Sequence, residues 1–447
     1  MKKFVQKNYV WLFFTWLIIM LTVQSRWVVG ALKTPSSILK IAALLTYLPF
    51  MVFALLKLIS DIKARKKDLF TILYYGFAVY YVCISLYRLL THGELKDSLY
   101  YTIVLLGTLA LFCSVFQQKN QQASRQLADC ACIFLSILLV YRLVFLLFVE
   151  KHITQSPVNE IAMGTALLLL LPIPFQQLRH RDFSVPGCIF YGLLIFGTVV
   201  VILSLGSRAV FFLLLVELIP LIVSCLKCKR AIFTGMIAIV CALAVLCVLF
   251  VCNTGRVRYN VYRQTGINFA KLLPDISDSQ KNSSDKDSSK KEESKKESQA
   301  QKNALSQIER SDAMREALTE LSLEEVRKNP WIGTGTVLFP HRYNRGKQII
   351  DAPAHNIFLQ TLNCYGVIGL VLLMALILTL VIKTGLFRLK EGHLSDRVSL
   401  FTVLVLYFGI SLIQATAYDV LVMPTAFICI AVLAASIQPE NQQNDAK

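Results

Sequence analysis

The sequence predicts an all-α polytopic membrane protein of about 12 transmembrane helices, with a large extracytoplasmic loop between spans 9 and 10. Three observations predict it. Of the 447 residues, 55% are hydrophobic and the mean hydropathy is +0.57, above what a soluble globule carries. Apolar runs of about 20 residues, the length that crosses a hydrocarbon core, recur along the chain. Lysines and arginines collect in alternate short loops, as the positive-inside rule requires.

In chain order, Met1-Lys2-Lys3 followed by "YVWLFFTWLIIMLTV" has the outline of a secretory signal, but no small-residue cleavage site follows and more spans come at once. We therefore expect a retained first helix. The runs lie near residues 8–25, 37–60, 69–90, 98–117, 127–149, 157–176, 186–205, 208–226, 231–252, 357–383, 398–417 and 419–437. With both termini cytoplasmic, the inward loops "DIKARKKD", "QQKNQQASRQ", "QQLRHRD", "KCKR" and "KTGLFRLKEGHLSDR" each hold at least two Lys or Arg, and the short outward loops hold fewer. The formal charge of +18 thus reports topology in the cytoplasmic membrane and gives no reason to expect a nucleic-acid partner.

The expected organisation is spans 1–9 in residues 1–252, the loop in 253–356, spans 10–12 in 357–437 and a cytoplasmic tail in 438–447. The loop begins with a basic, aromatic stretch that includes Arg256 and Arg263. A Ser/Lys/Asp/Glu tract over about 276–303 follows, too polar to bury the surface that ordering needs, so we expect a disordered insertion. An amphipathic helix over about 304–328 comes next, ending at Asn329-Pro330. Leu305, Ile308, Met314, Ala317, Leu318 and Leu321 make its apolar face, with Arg310 on that side and Glu316, Glu320 and Glu324 on another. Such a face could lie on the bilayer and aim Arg310 at the headgroups, or Arg310 could reach solvent or pair with Glu309 or Asp312.

The twelve cysteines fall nearly all in apolar runs, where a thiol behaves as a small hydrophobe. Cys225 and Cys228 in "CLKCKR" have zinc-like spacing but lack two further ligands. His341 stands fourteen residues from His355 in what reads as an irregular loop, and no acidic cluster joins them, so no metal site is expected.

Three places offer chemistry. In "SLGSRAVFFLLL", Ser207 and Arg208 occupy a tight outward turn, where a guanidinium either holds an anion through its planar fork or anchors the helix at the interface. Arg142 lies inside a span and is a lesser candidate. In "DAPAHNIFLQTLNCYGVIGL", His355 and Asn356 open an apolar helix, where the positive helix end disfavours imidazolium and leaves a neutral ring that accepts a proton, unless the histidine is only a cap or a surface residue. Two outward arginines and one neutral base suit the transfer of a sugar from a lipid diphosphate: cations for the diphosphate, a base for the acceptor hydroxyl.

The chain resembles the O-antigen ligase and polymerase superfamily of bacterial multi-spanning glycosyltransferases. The likeness rests on "GSRAV", "IERSDAMREAL", "NPWIGTG" and "AHNIFLQTLNCYGVIGL", which in order and spacing cover roughly residues 200–385. The resemblance implies a glycosyltransferase in which Arg208 and Arg310 contact the diphosphate of an undecaprenyl-linked glycan donor and His355 acts as base toward a glycan or glycolipid acceptor. It implies a metal-independent, inverting transfer with no cofactor. The pattern departs at Ala209, where relatives usually carry glycine, and at Met314, where they carry an aromatic; Arg315, Arg256 or Arg263 could take the place of Arg310. A 12-span secondary transporter is the competing class, but no internal repeat of two halves is visible and the long polar segment follows span 9.

Overall fold

The computed structural model describes residues 69–92, 121–144, 160–180, 185–205, 207–225, 228–251, 313–335, 338–343, 348–384, 386–387, 394–413 and 422–437, together with 56 and 60. The expected spans near 8–25, 37–60 and 98–117, the tract at 276–303, the tail, and Arg256, Arg263 and Arg310 lie outside them, apart from residues 56 and 60.

The remaining nine expected spans are all helical where described. They are α1 (Leu69–His92), α2 (Gln121–Val144), α3 (Glu160–Leu170) continued by α4 (Pro172–His180), α5 (Val185–Ser204), α6 (Arg208–Cys225), α7 (Lys229–Val251), α9 (Ile357–Thr384), α10 (Leu394–Ile413) and α11 (Val422–Ile437). Five stretches, Arg125–Val144, Ile161–Arg179, Val185–Ser204, Ile357–Thr384 and Leu394–Leu412, are long and apolar enough to cross a membrane, and the chain is an integral membrane protein. One boundary differs from expectation: α2 begins at Gln121, inside the polar "QQKNQQASRQ" stretch read as loop. Its first turn holds glutamine, alanine and serine, which a helix accepts in water as readily as in lipid.

Most of the buried apolar side chains form one cluster that runs through α1 to α7 and α9 to α11. The densest packing joins α5 with α7, α10 with α11, α6 with α10, and α1 with α9. Among the described residues the bundle's buried ion pair ties α4 to α10: Arg179 donates to Asp396 at 2.9 Å, with side-chain exposures of only 6% and 0%.

The loop region holds a helix, α8, over residues 313–328, and an antiparallel hairpin of β1 (Leu338–Tyr343) and β2 (Gln348–Pro353). Leu338 pairs with Pro353 and His341 with Ile350. The hairpin adds a two-stranded sheet to an otherwise helical fold and corrects one expectation: His341 stands on a strand. Pro340 hides β1 in the sequence, because proline lacks the N–H that a central strand must donate; in a two-stranded sheet each strand has a free edge and tolerates it. The apolar face of α8 is also not laid on lipid. Leu318 is buried with Phe339 of β1 and Ala354, and Met314, Leu321 and Leu359 pack around them, so protein covers the described part of that face.

Candidate active site

Asn356 starts α9. Its side-chain Oδ1 accepts from the backbone N–H of Phe358 at 2.8 Å and of Leu359 at 3.2 Å, while its carbonyl accepts from Gln360. These are the contacts of an N-cap, and they satisfy amides that the first turn would otherwise leave orphaned. His355 therefore sits just outside the helix, one residue before the cap, after the proline that closes β2.

The helix does not run straight into the membrane. At Gly366 the backbone takes φ 66 and ψ −171, splitting α9 into a short segment over 357–365 and a long one over 367–384. The break is held by the "NPWIGTG" turn that follows α8. Pro330 and Trp331 offer their carbonyls to the amides of Val367 and Ile368, and the Asn363 carbonyl accepts from Thr334 and Gly335 at 2.9 Å each. The turn thus supplies partners for groups that the kink frees from the helix ladder. Gly333 (φ 70) and Gly366 face one another across the seam. A Cβ on Gly333 would stand 2.6 Å from the Asn363 carbonyl oxygen, and one on Gly366 would strike the Trp331 carbonyl. Both positions need positive φ and close backbone approach, which only glycine meets without strain.

Two further contacts brace the short segment. Tyr80 of α1 donates its hydroxyl to the Tyr365 carbonyl at 2.6 Å, and the Tyr81 and Tyr365 rings stack with centroids 3.7 Å apart. Asn363 donates its side-chain amide to Ser322 of α8 at 2.5 Å, with both residues fully buried.

That bond sets the register of α8 against the start of α9. Ser322 meets Asn363; two turns earlier on α8 is Arg315, and eight residues before Asn363 is His355. Leu318 and Leu359, each four residues before the bonded pair, share one apolar cluster, so the two segments run in the same direction, and Arg315 lies near enough for its charge to act on His355. The electrostatics agree. His355 is held below the ordinary histidine value, first by burial and then by the positive charge of Arg315. Its Nδ1 is buried and has no hydrogen-bond partner among the described residues. A neutral imidazole beside a guanidinium can accept a proton at neutral pH while the cation attends to an anion.

A neutral ring at His355 was expected from the helix dipole; the causes found here are burial and the Arg315 charge. Ser207 is the N-cap of α6, its carbonyl accepting from Phe211, and Arg208 is the first helical residue, its side chain outside the described set. Sequence reasoning missed the break at Gly366 and the buried polar side chains Gln360 and Asn363 beside it; Gln360 Oε1 has no partner among the described residues. It also missed Glu217, a fully buried carboxyl within α6. A lone glutamate in "LLLVELIPLIV" was a readable signal, because ionisable groups inside spans are rare and tend to be functional.

No curated protein matches the chain. Residues 192–374 match the family model described as O-antigen ligase, a stretch that opens within α5 and closes beyond the break of α9. Through that stretch the chain is similar to the O-antigen ligase family, whose activity is of the glycosyltransferase type.

Proposed function

We propose that the protein moves a glycan from an undecaprenyl-diphosphate donor to an acceptor hydroxyl on the extracytoplasmic face of the cytoplasmic membrane, as a ligase or as a surface-polysaccharide polymerase. The observation that carries the reading is the half-buried His355, its enclosed Nδ1 without a partner among the described residues, beside the Arg315 charge and inside the matched segment. The acceptor oxygen attacks the anomeric carbon, its proton passes to the His355 imidazole, and the bond from that carbon to the diphosphate oxygen breaks. Undecaprenyl diphosphate leaves with the electron pair, its charge met by guanidinium groups, and displacement from the opposite side inverts the anomeric centre. In this reading Arg208 and Arg310 bind the diphosphate, with Arg315 joining or replacing Arg310. Ser207 and Asn356 hold the two helix starts in place. No metal is needed, because fixed cations do the electrostatic work. Twelve spans with both termini inside would put all these groups on the outer side.

The test is complementation of a deletion strain with His355→Ala, read on a glycolipid gel, with membrane insertion checked in parallel. Loss of the mature glycan with the variant inserted is expected; a normal ladder would refute the role of His355. The same gel separates the two acceptor classes, since a missing polymerase leaves single repeats and a missing ligase leaves long unattached chains.

A further inference from the structure

Trp331 is 66% exposed, although its own backbone carbonyl is tied to the amide of Ile368 in α9. A large aromatic standing free at a rigid turn calls for a partner outside the protein. The long segment of α9 says which one. Ile368, Val371, Leu378 and Ile382 are exposed at helical spacing along one side of it, 40% to 64% each, and a buried-core helix would not leave such a stripe open. In an integral membrane protein the stripe faces lipid. Trp331 crowns it at the break, hydrogen-bonded to its first residue.

The opposite end is marked as well. Lys383, in the last turn of α9, lies over the ring of Phe70 at 5.4 Å. From Gly366 to Lys383 the helix rises about 26 Å, close to the roughly 30 Å thickness of a hydrocarbon core. A lysine at one end and a tryptophan at the other are the residues that settle at the two interfaces, where an amphipathic ring or a long cationic arm reaches the headgroups.

We propose that Trp331 is a lipid-interface anchor: the turn after α8 rests on the bilayer surface at the break in α9, and this contact fixes the height of the site above the hydrocarbon. The short segment of α9 rises about 13 Å, so His355 is held within headgroup reach of that surface. The anchor does not depend on the reaction assigned to His355, and its test reads lipid contact alone.

The experiment uses the full chain with Trp11, Trp16 and Trp27 changed to Phe, which leaves Trp331 as the sole tryptophan, reconstituted in phosphatidylcholine nanodiscs. Lipids brominated near the carbonyl end of their acyl chains should quench Trp331 emission more than lipids brominated at mid-chain, and iodide in the buffer should quench it weakly. Strong quenching by iodide with none from brominated lipid would overturn the proposal, as would stronger quenching by the mid-chain bromines. If the triple variant does not fold, the difference in bromine quenching between the native chain and Trp331→Phe gives the same reading. No difference between those two would also overturn it.

Discussion

Replacing Gly366 with alanine should undo the site without touching a reactive group. An L-residue at φ 66 and ψ −171 occupies a backbone region that is essentially reserved for glycine, at a cost of about 1–3 kcal/mol. The added methyl would also strike the Trp331 carbonyl, and backbone atoms there are fixed from both sides. Pushing the turn away forfeits the bonds from Val367 to Pro330 and from Ile368 to Trp331, each worth about 0.5–1.5 kcal/mol net. The total is about 2–6 kcal/mol, enough to move the turn off the helix in most molecules. Gly409 is the control, since a Cβ there meets nothing within 4 Å and alanine in a helix is if anything favourable. The assay is limited proteolysis of the region around residues 329–335 in detergent, alongside the midpoint of thermal unfolding. Gly366→Ala should be cut faster and melt earlier, and Gly409→Ala should behave as the native chain does. If both variants are equally protected, the seam between turn and helix does not hold the loop, and the argument for the site's geometry fails with it.

Two further outcomes follow from particular contacts. Arg315→Gln should lower the transfer rate about 10²-fold at neutral pH, by analogy with removal of one charge-stabilising donor, and should change its pH dependence. His355 works as a base only when neutral, so the rate falls as pH drops through its pKa; Arg315 and burial depress that pKa, and removing the charge lets it rise, which moves the acid limb of the profile to higher pH. An acid limb that stays in place or moves lower would contradict the pairing. Asp396→Ala strands Arg179 in a buried position and should cost about 3–5 kcal/mol, read as an earlier thermal midpoint in detergent; an unchanged midpoint would mean that the pair contributes nothing.

The spans were legible in the sequence because a single property decides them: an uninterrupted apolar run cannot remain in water, and nine such runs are helices here. His355 stood out in the sequence for a similar reason, as an imidazole directly before an apolar run, with a cap or a surface residue as the other reading. The break at Gly366 was not, because "NCYGVIGL" reads as an ordinary spanning segment and what bends it lies more than thirty residues upstream, in the carbonyls of Pro330 and Trp331. The same distance hid the bond from Asn363 to Ser322, and with it the register that brings Arg315 to His355. The family resemblance put weight on Arg310, with Arg315 as a possible replacement, and Arg310 lies outside the described residues. The pairing of two helix faces brings the charge of Arg315, five residues later, to the ring. The bilayer-facing option weighed for the apolar side of α8 gave way for a comparable reason: its partners, Phe339 and Ala354, lie in and just after a hairpin whose proline disguised it.

The turn grips α9 almost wholly through main-chain amides and carbonyls, which every amino acid supplies. Side chains along that join, other than Trp331 and the core-packed Ile332, are consequently free to drift during evolution, provided that Gly333 and Gly366 stay bare. A loop borrowed from a distant relative should then seat on this scaffold if it brings the same bend, making specificity something that could be transplanted as a cassette.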